Sequence, residues 1–135
     1  MISVLVLTHG DLATELLTAA REIDTELAEG TAALALAWDV DSDEGSSQVK
    51  KAVREVDCGK GVIVLTDMFG GTPSNLAISI TDDDGIEALA GINLPMLVKL
   101  ASARREESLK KVVITAQDAG RKYIHAASAL LDEAS

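Results

Sequence analysis

Disulfides, aromatic surfaces and membrane spans are all missing from this sequence, and each absence removes a class of function. Its 135 residues include one cysteine, Cys58, so no internal disulfide can form and a reducing, cytoplasmic location is expected. Cys58 itself reads as a small buried hydrophobe just ahead of a strand. Three aromatic residues, Trp38, Phe69 and Tyr123, are too few for a base-stacking platform. Basic residues are also scarce. Twelve Lys and Arg against 22 Asp and Glu leave a formal charge of −10, which repels phosphate backbones and anionic lipid. Nucleic acid and membrane surfaces are excluded as partners on this ground, whereas a basic protein would be steered toward the chain. No apolar run approaches the ~18 residues of a membrane helix. Met1–Leu7 is apolar, but no basic residue precedes it and Thr8-His9-Gly10-Asp11 cuts it short, so it is not a signal peptide and no membrane insertion is expected. With no repeat, no low-complexity tract and no linker rich in Pro or Ser, residues 1–135 read as one domain. A chain of this length buries about two-thirds of its unfolded surface, enough for a core without staples.

What the chain does have is an alternation of short β-type runs with helical ones. Ile2–Leu7 is continuously apolar with β-branched members, as a strand buried on both faces should be. Asp11–Ala28 repeats Leu12, Leu16, Leu17, Ala20, Ile23 and Leu27 on one helical face, between Asp11 as N-cap and Gly30 as stop. Thr31–Trp38 reads as a second strand, Asp39–Gly45 as an acidic loop, and Ser46–Val56 as a short helix with Val49, Ala52, Val53 and Val56 inward. Gly61–Thr66 is a third strand. Asp67-Met68-Phe69-Gly70-Gly71-Thr72-Pro73-Ser74-Asn75 follows as a loop opening a helix, with Pro73 in its first turn. Asp82-Asp83-Asp84 reads as a solvated turn and Ile86–Ala90 as a fourth strand. Asn93 caps a helix to about Ala103, another helix runs from about Glu106 to Gly120, and Arg121–Leu131 is readable as strand or helix.

Strands alternating with helices imply βαβ units, and so an α/β fold: a doubly wound, mostly parallel sheet with helices on both faces. Ligand sites in such sheets lie beyond the carboxyl ends of the strands, where strand order reverses. In a 2-1-3-4 order the reversal falls between the first and third strands. Their ends are followed by Thr8-His9-Gly10 and by Asp67.

His9 sits beside Gly10, where an imidazole can reach solvent and act as base, metal ligand or nucleophile, or else simply cap the next helix. Asp67 can hold one ring nitrogen, which fixes the tautomer and frees the other for attack. It fits equally a loop aspartate bonded to its own backbone. Gly70-Gly71-Thr72-Pro73 opens a helix, so free N–H groups and the positive helix end can hold a phosphoryl group, with Thr72 adding a hydroxyl; the alternative is an ordinary turn. The motif lacks the lysine of a P-loop and the spacing of a dinucleotide fingerprint. Three such signals converging on one crevice outweigh any of them singly. His125 has no acidic or cysteine neighbour at ligand spacing and reads as structural. No His-x-x-x-His or Cys-x-x-Cys spacing supports a metal, no Gly-x-Ser-x-Gly elbow surrounds Ser74, and neither metal nor cofactor is expected.

Three stretches together resemble a known family. Val-Leu-Thr-His-Gly-Asp-Leu-Ala-Thr-Glu-Leu-Leu (6–17), Leu-Thr-Asp-Met-Phe-Gly-Gly-Thr-Pro-Ser-Asn (65–75) and Gly-Ile-Asn-Leu-Pro-Met-Leu (91–97) resemble the IIA component of the mannose family of the bacterial phosphoenolpyruvate-dependent sugar phosphotransferase system. The resemblance runs in order from about Met1 to Gly120 and is most specific in the central stretch. It implies that His9 is the phosphorylated histidine, taking its phosphoryl group from the carrier HPr and passing it to a IIB protein. Asp67 would orient the ring, Thr72 would stand beside the phosphate, and Gly70 and Gly71 would belong to the same loop. It also implies a homodimer and a C-terminal antiparallel edge strand, here Lys122–Ala127, that can be exchanged between subunits. The chain departs from the family's frequent Pro-Gly after strand two, carrying Val40-Asp41-Ser42-Asp43-Glu44-Gly45 instead. It ends at Ser135 before any IIB-type segment, so the resemblance implies either a carrier feeding a separate IIB or a regulatory phosphoprotein whose His9 state controls binding to a target. The carrier subunit that serves dihydroxyacetone kinase shares such a histidine, but the stretch from Asp67 to Asn75 is not expected there.

Overall fold

The computed structural model describes residues 1–81 and 83–134. Four strands, β1 (Ser3–His9), β2 (Thr31–Leu36), β3 (Val62–Thr66) and β4 (Ile86–Ala90), form a sheet in the order β2-β1-β3-β4 with every neighbouring pair parallel. Helices follow as α1 (Leu12–Ile23), α2 (Ser42–Val56), α3 (Thr72–Ser79), α4 (Leu94–Glu106), α5 (Leu109–Lys122) and α6 (Ala127–Ala134), with a 3-10 turn at Thr25–Ala28.

Side chains on a strand alternate between faces, so β1, apolar throughout, serves two cores. Val4 and Val6 join Ala13, Leu17 and Ala20 of α1, Leu97 and Leu100 of α4 and Val112 and Ala116 of α5. Leu5 and Leu7 join Val49 and Val53 of α2 and Ala77 of α3 on the opposite face. Helices therefore cover both sides of the sheet, as the strand–helix alternation predicts.

Capping decides where the helices begin and break. The helix expected over Asp11–Ala28 stops at Ile23, because Asp24 turns extended (φ −140°, ψ 109°) and its carboxylate accepts the Glu26 N–H. Asp11 occupies the N-cap of α1 without a side-chain cap bond; the hydroxyl of Thr8 reaches from β1 and accepts the Ala13 N–H at 2.7 Å instead. Helix α2 starts at Ser42, ahead of the expected Ser46, since Asp41 accepts the Glu44 N–H at 2.8 Å. Asn93 caps α4 as expected and also donates to the carbonyl of Gly120, tying α4 to α5. Arg104 of α4 is 1% exposed, and its guanidinium donates to the carbonyls of Glu26, Glu29 and Gly30, binding α4 to the turn before β2. Burial lowers the pKa of that guanidinium, with the Arg105 charge acting in the same direction and Cys58, Glu26 and Glu29 opposing.

Two expectations are corrected. No antiparallel edge strand forms over Lys122–Ala127: Lys122 ends α5, Tyr123 caps it, and Ala127 begins α6. Ala, Leu and Glu dominate 127–134 and favour helix. Cys58 is exposed rather than buried, its thiol donating to the carbonyl of Met1 and bonded to the Ser3 hydroxyl, both at 3.3 Å. Asp82, part of the acidic run read as a turn, lies outside the described residues. Among the described residues no helix is long and apolar enough to cross a membrane.

Candidate functional site

Strand order places the site. The chain leaves β1 toward β2 on one side and leaves β3 toward β4 on the other, so a crevice opens between the carboxyl ends of β1 and β3. Leu7 pairs in register with Thr66, which brings His9 and Asp67 to the same rim.

The two residues make a double contact. The backbone N–H of His9 donates to Asp67 Oδ2 at 3.0 Å, and the ring Nδ1 lies 2.7 Å from the same oxygen. The other oxygen, Oδ1, accepts the Met68 N–H at 2.8 Å. A carboxylate can only accept, so Nδ1 carries the proton and Nε2 is left with its lone pair. Burial works to raise the Asp67 pKa. The hydrogen bonds from the His9 backbone, the His9 ring and Met68, with attraction to the ring's charge, outweigh it and hold the carboxyl below its ordinary value. The His9 side chain is 19% exposed and that of Asp67 13%, so the pair is sheltered while the imidazole still meets solvent.

Gly71 stands against the free edge of the ring. A Cβ built there would lie 2.9 Å from His9 Cε1 and 3.5 Å from Nε2, so only glycine fits without displacing the imidazole. Gly71 is also the N-cap of α3, and no side chain caps that helix end. The positive end of α3, whose first-turn N–H groups exclude Pro73, thus opens at the Cε1 and Nε2 edge of the ring. Gly70 takes a positive φ of 90° to bring the loop round, and a Cβ there would meet nothing within 4 Å. Thr72 opens α3 exposed to solvent and makes no hydrogen bond to the ring. The structure thus brings His9, Asp67 and Gly71 into contact and sets Gly70 and Thr72 beside them. His125 is exposed between α5 and α6, outside this cluster. Among the described residues no group of three or more His, Cys, Asp or Glu side chains could hold a metal ion.

Trp38 is the residue that the sequence reading missed. It lies just past β2, and its indole stacks on the His9 imidazole with ring centroids 4.6 Å apart and planes inclined by 18°. The available signal was positional: in a 2-1-3-4 order, residues leaving strand two emerge beside those leaving strand one. Trp38, Met68 and Phe69 are all exposed, so apolar surface rims the histidine.

A sheltered imidazole with one nitrogen fixed by a carboxylate and the other beside a helix N-terminus is an arrangement in which a free ring nitrogen and an anion can be brought together. Comparison with known proteins supplies the family. The EIIA-man family, described as PTS system fructose IIA component, matches residues 3–117, and the chain belongs to that family. It is 39% identical over 77 residues to the PTS system mannose-specific EIIAB component of Escherichia coli (strain K12), a match covering 56% of this chain and 24% of that protein. It is 38% identical over 64 residues to the PTS system fructose-specific EIIA component of Bacillus subtilis (strain 168), covering 47% of this chain and 44% of that one. The matched stretches therefore span less than half the length of these curated relatives. Among solved structures, the PTS IIA protein associated with the fucose utilization operon from Streptococcus pneumoniae superposes with a TM-score of 0.79 at 30% identity, over 97% of this chain and 99% of that one. The mannose/sorbose specific IIA subunit from Enterococcus faecalis shares the fold at a TM-score of 0.82 and 22% identity, over 93% of each chain.

Proposed function

We propose that the chain, as one domain over residues 1–135, is a cytoplasmic phosphocarrier of the sugar phosphotransferase system. It accepts a phosphoryl group from phospho-HPr on His9 and passes it to a IIB component during sugar uptake. The observation that carries this reading is the 2.7 Å contact of Asp67 with Nδ1, which leaves Nε2 as the nucleophile beside Gly71 and the start of α3.

In the transfer, the Nε2 lone pair attacks phosphorus in line. The bond from phosphorus to the donor breaks, and its electron pair leaves with the donor. No proton need move, since Nδ1–H stays bonded to Asp67 throughout. Asp67 orients the ring and stabilises the positive charge that builds as the N–P bond forms. Gly70, Gly71 and Thr72 bind the phosphoryl oxygens through backbone N–H groups, the Thr72 hydroxyl and the helix end. Delivery to the IIB component repeats the displacement with the acceptor as nucleophile. The chain works as a homodimer in this reading, because β4 is an edge strand and Tyr123, Ile124, Leu130 and Leu131 are exposed nearby in sequence to the helix packed on it.

Incubation with phosphoenolpyruvate, enzyme I and HPr, followed by mass measurement of the intact chain, tests the reading. One added phosphate is expected, lost in His9→Ala and retained in His125→Ala. A label that survives His9→Ala would sink the assignment.

A further inference from the structure

The placement of Trp38 calls for a reason, because its side chain is 79% exposed and gains little from burial. Its position is built in by the backbone. The last register pair of the β1–β2 ladder joins His9 to Leu36, and the Leu36 carbonyl accepts the Gly10 N–H at 2.8 Å. The exit of β2 is thereby pinned to the exit of β1, two residues before the indole. Gly10 makes this turn at a positive φ of 55°, and a Cβ there would stand 3.2 Å from Trp38 Nε1. The turn that presents the histidine is also the turn that admits the indole.

The bond to Asp67 sets the orientation of the His9 ring at one atom, and a single hydrogen bond, soft in angle, still tolerates tilting of the plane. Gly71 borders one edge of the imidazole. The indole, nearly parallel at 18°, covers a whole face. We propose that Trp38 is a positioning residue for phosphoryl transfer: it holds the His9 imidazole in the plane that directs Nε2 along the start of α3. The Nε2 lone pair lies in the ring plane, so a plane that tilts aims it away from phosphorus part of the time. Stacking supplies this restraint without any bond to the indole being made or broken. The inference rests on the phosphocarrier reading of His9.

Trp38→Phe, Trp38→Leu and Trp38→Ala, assayed by rapid quench over a range of phospho-HPr concentrations, separate positioning from docking. Removing the aromatic face in the Leu and Ala variants is expected to lower kcat about fivefold, equivalent to about 1 kcal/mol of barrier. Phe, which restores a flat face, should return kcat to within about twofold, since an aromatic pair persists. A loss confined to KM, or a kcat in Trp38→Leu equal to that of the unmutated chain, would overturn the proposal and make Trp38 a contact for the partner only.

A second measurement needs no partner. Trp38 is the only tryptophan of the chain, so its fluorescence reports on the face of His9. Replacing the stacked ring in His9→Ala should change the intensity and wavelength of that emission at constant pH. The same spectrum in both proteins would overturn the stack itself. If the spectra differ but the unmutated chain takes up no phosphate, the phosphocarrier reading fails, and the role of Trp38 in transfer fails with it. Normal phosphorylation with unimpaired kcat in Trp38→Leu removes the present proposal alone.

Discussion

Gly71→Ala isolates the geometry of the site from the stability of the fold. The residue sits at φ −80° and ψ 172°, a conformation open to any amino acid, so the new methyl group brings no backbone strain. Glycine-to-alanine changes at such positions stabilise by about 0.4–1 kcal/mol through the unfolded chain. Alanine is a poorer N-cap than glycine by a comparable amount, and the two effects nearly cancel. The methyl, however, would lie 2.9 Å from His9 Cε1. Carbon atoms settle at ~3.5 Å or more, so ring and loop must part by at least about 0.6 Å. Asp67 holds the ring at 2.7 Å on one side and Trp38 covers a face, which leaves little freedom to retreat. The same methyl lies 3.5 Å from Nε2, at the atom proposed to attack. A misplacement near 1 Å can cost about a hundredfold in rate, and a loss of roughly ten- to a hundredfold in phosphorylation of His9 is expected. Urea unfolding should move by less than about 1 kcal/mol. Rapid quench and urea titration on one preparation measure both quantities. Unimpaired transfer would show that the loop yields and that Gly71 does not set the ring's position. Gly70→Ala separates backbone strain from contact with the ring. Its φ of 90° should cost about 1–2 kcal/mol of stability, while its Cβ points away from any neighbour within 4 Å and should leave the imidazole in place.

Two further substitutions test neighbouring parts of the argument. Asp67→Asn should leave the chain folded and slow transfer by about a hundredfold or more, since an amide can hold the ring in the wrong tautomer; rapid quench at the unmutated rate would remove Asp67 from the mechanism. Because the folded-state pKa of Asp67 is depressed, its stabilising contribution is present above the ordinary carboxyl value of about 3.9 and is lost as pH falls through the lower folded value. The gap in urea midpoint between the unmutated chain and Asp67→Asn should accordingly shrink from pH 7 to pH 3, and a gap that widens on acidification would contradict the sign. Thr66→Val concerns the buried hydroxyl at the end of β3, which has no hydrogen-bond partner and borders a cavity of about 60 Å³ lined also by Ser74 and Phe69. Replacing it with an isosteric methyl should be neutral or stabilising by up to about 1 kcal/mol in urea unfolding, and a comparable loss would mean that the hydroxyl is paired.

Strand and helix order were legible because local patterns carry them. Ile86–Ala90 matches β4 residue for residue, and Val62–Thr66 lies within the expected Gly61–Thr66, since short apolar-rich runs bounded by glycine and polar residues have few other uses in a chain of this composition. His9 and Asp67 could be paired in advance by topology alone: each is among the first polar residues past a strand flanking the reversal point. Helix boundaries were less legible. Whether a side chain caps is a matter of its direction, and Thr8, a strand residue, serves the start of α1 in place of Asp11.

What the sequence determined by itself was thus the α/β alternation, the two strand ends that meet and the residue types that meet there, all written in hydrophobic periodicity and in the positions of a few polar residues. What only the tertiary structure decided was how those residues touch. Which nitrogen of His9 faces Asp67, how close Gly71 comes to the ring, and that Trp38 lies over it follow from the register of β1 against β2 and β3, contacts between residues far apart in the chain. The segment after Lys122 belongs to the same category: Arg121–Leu131 has apolar residues enough for either state, and the structure resolves the choice with α6 over Ala127–Ala134.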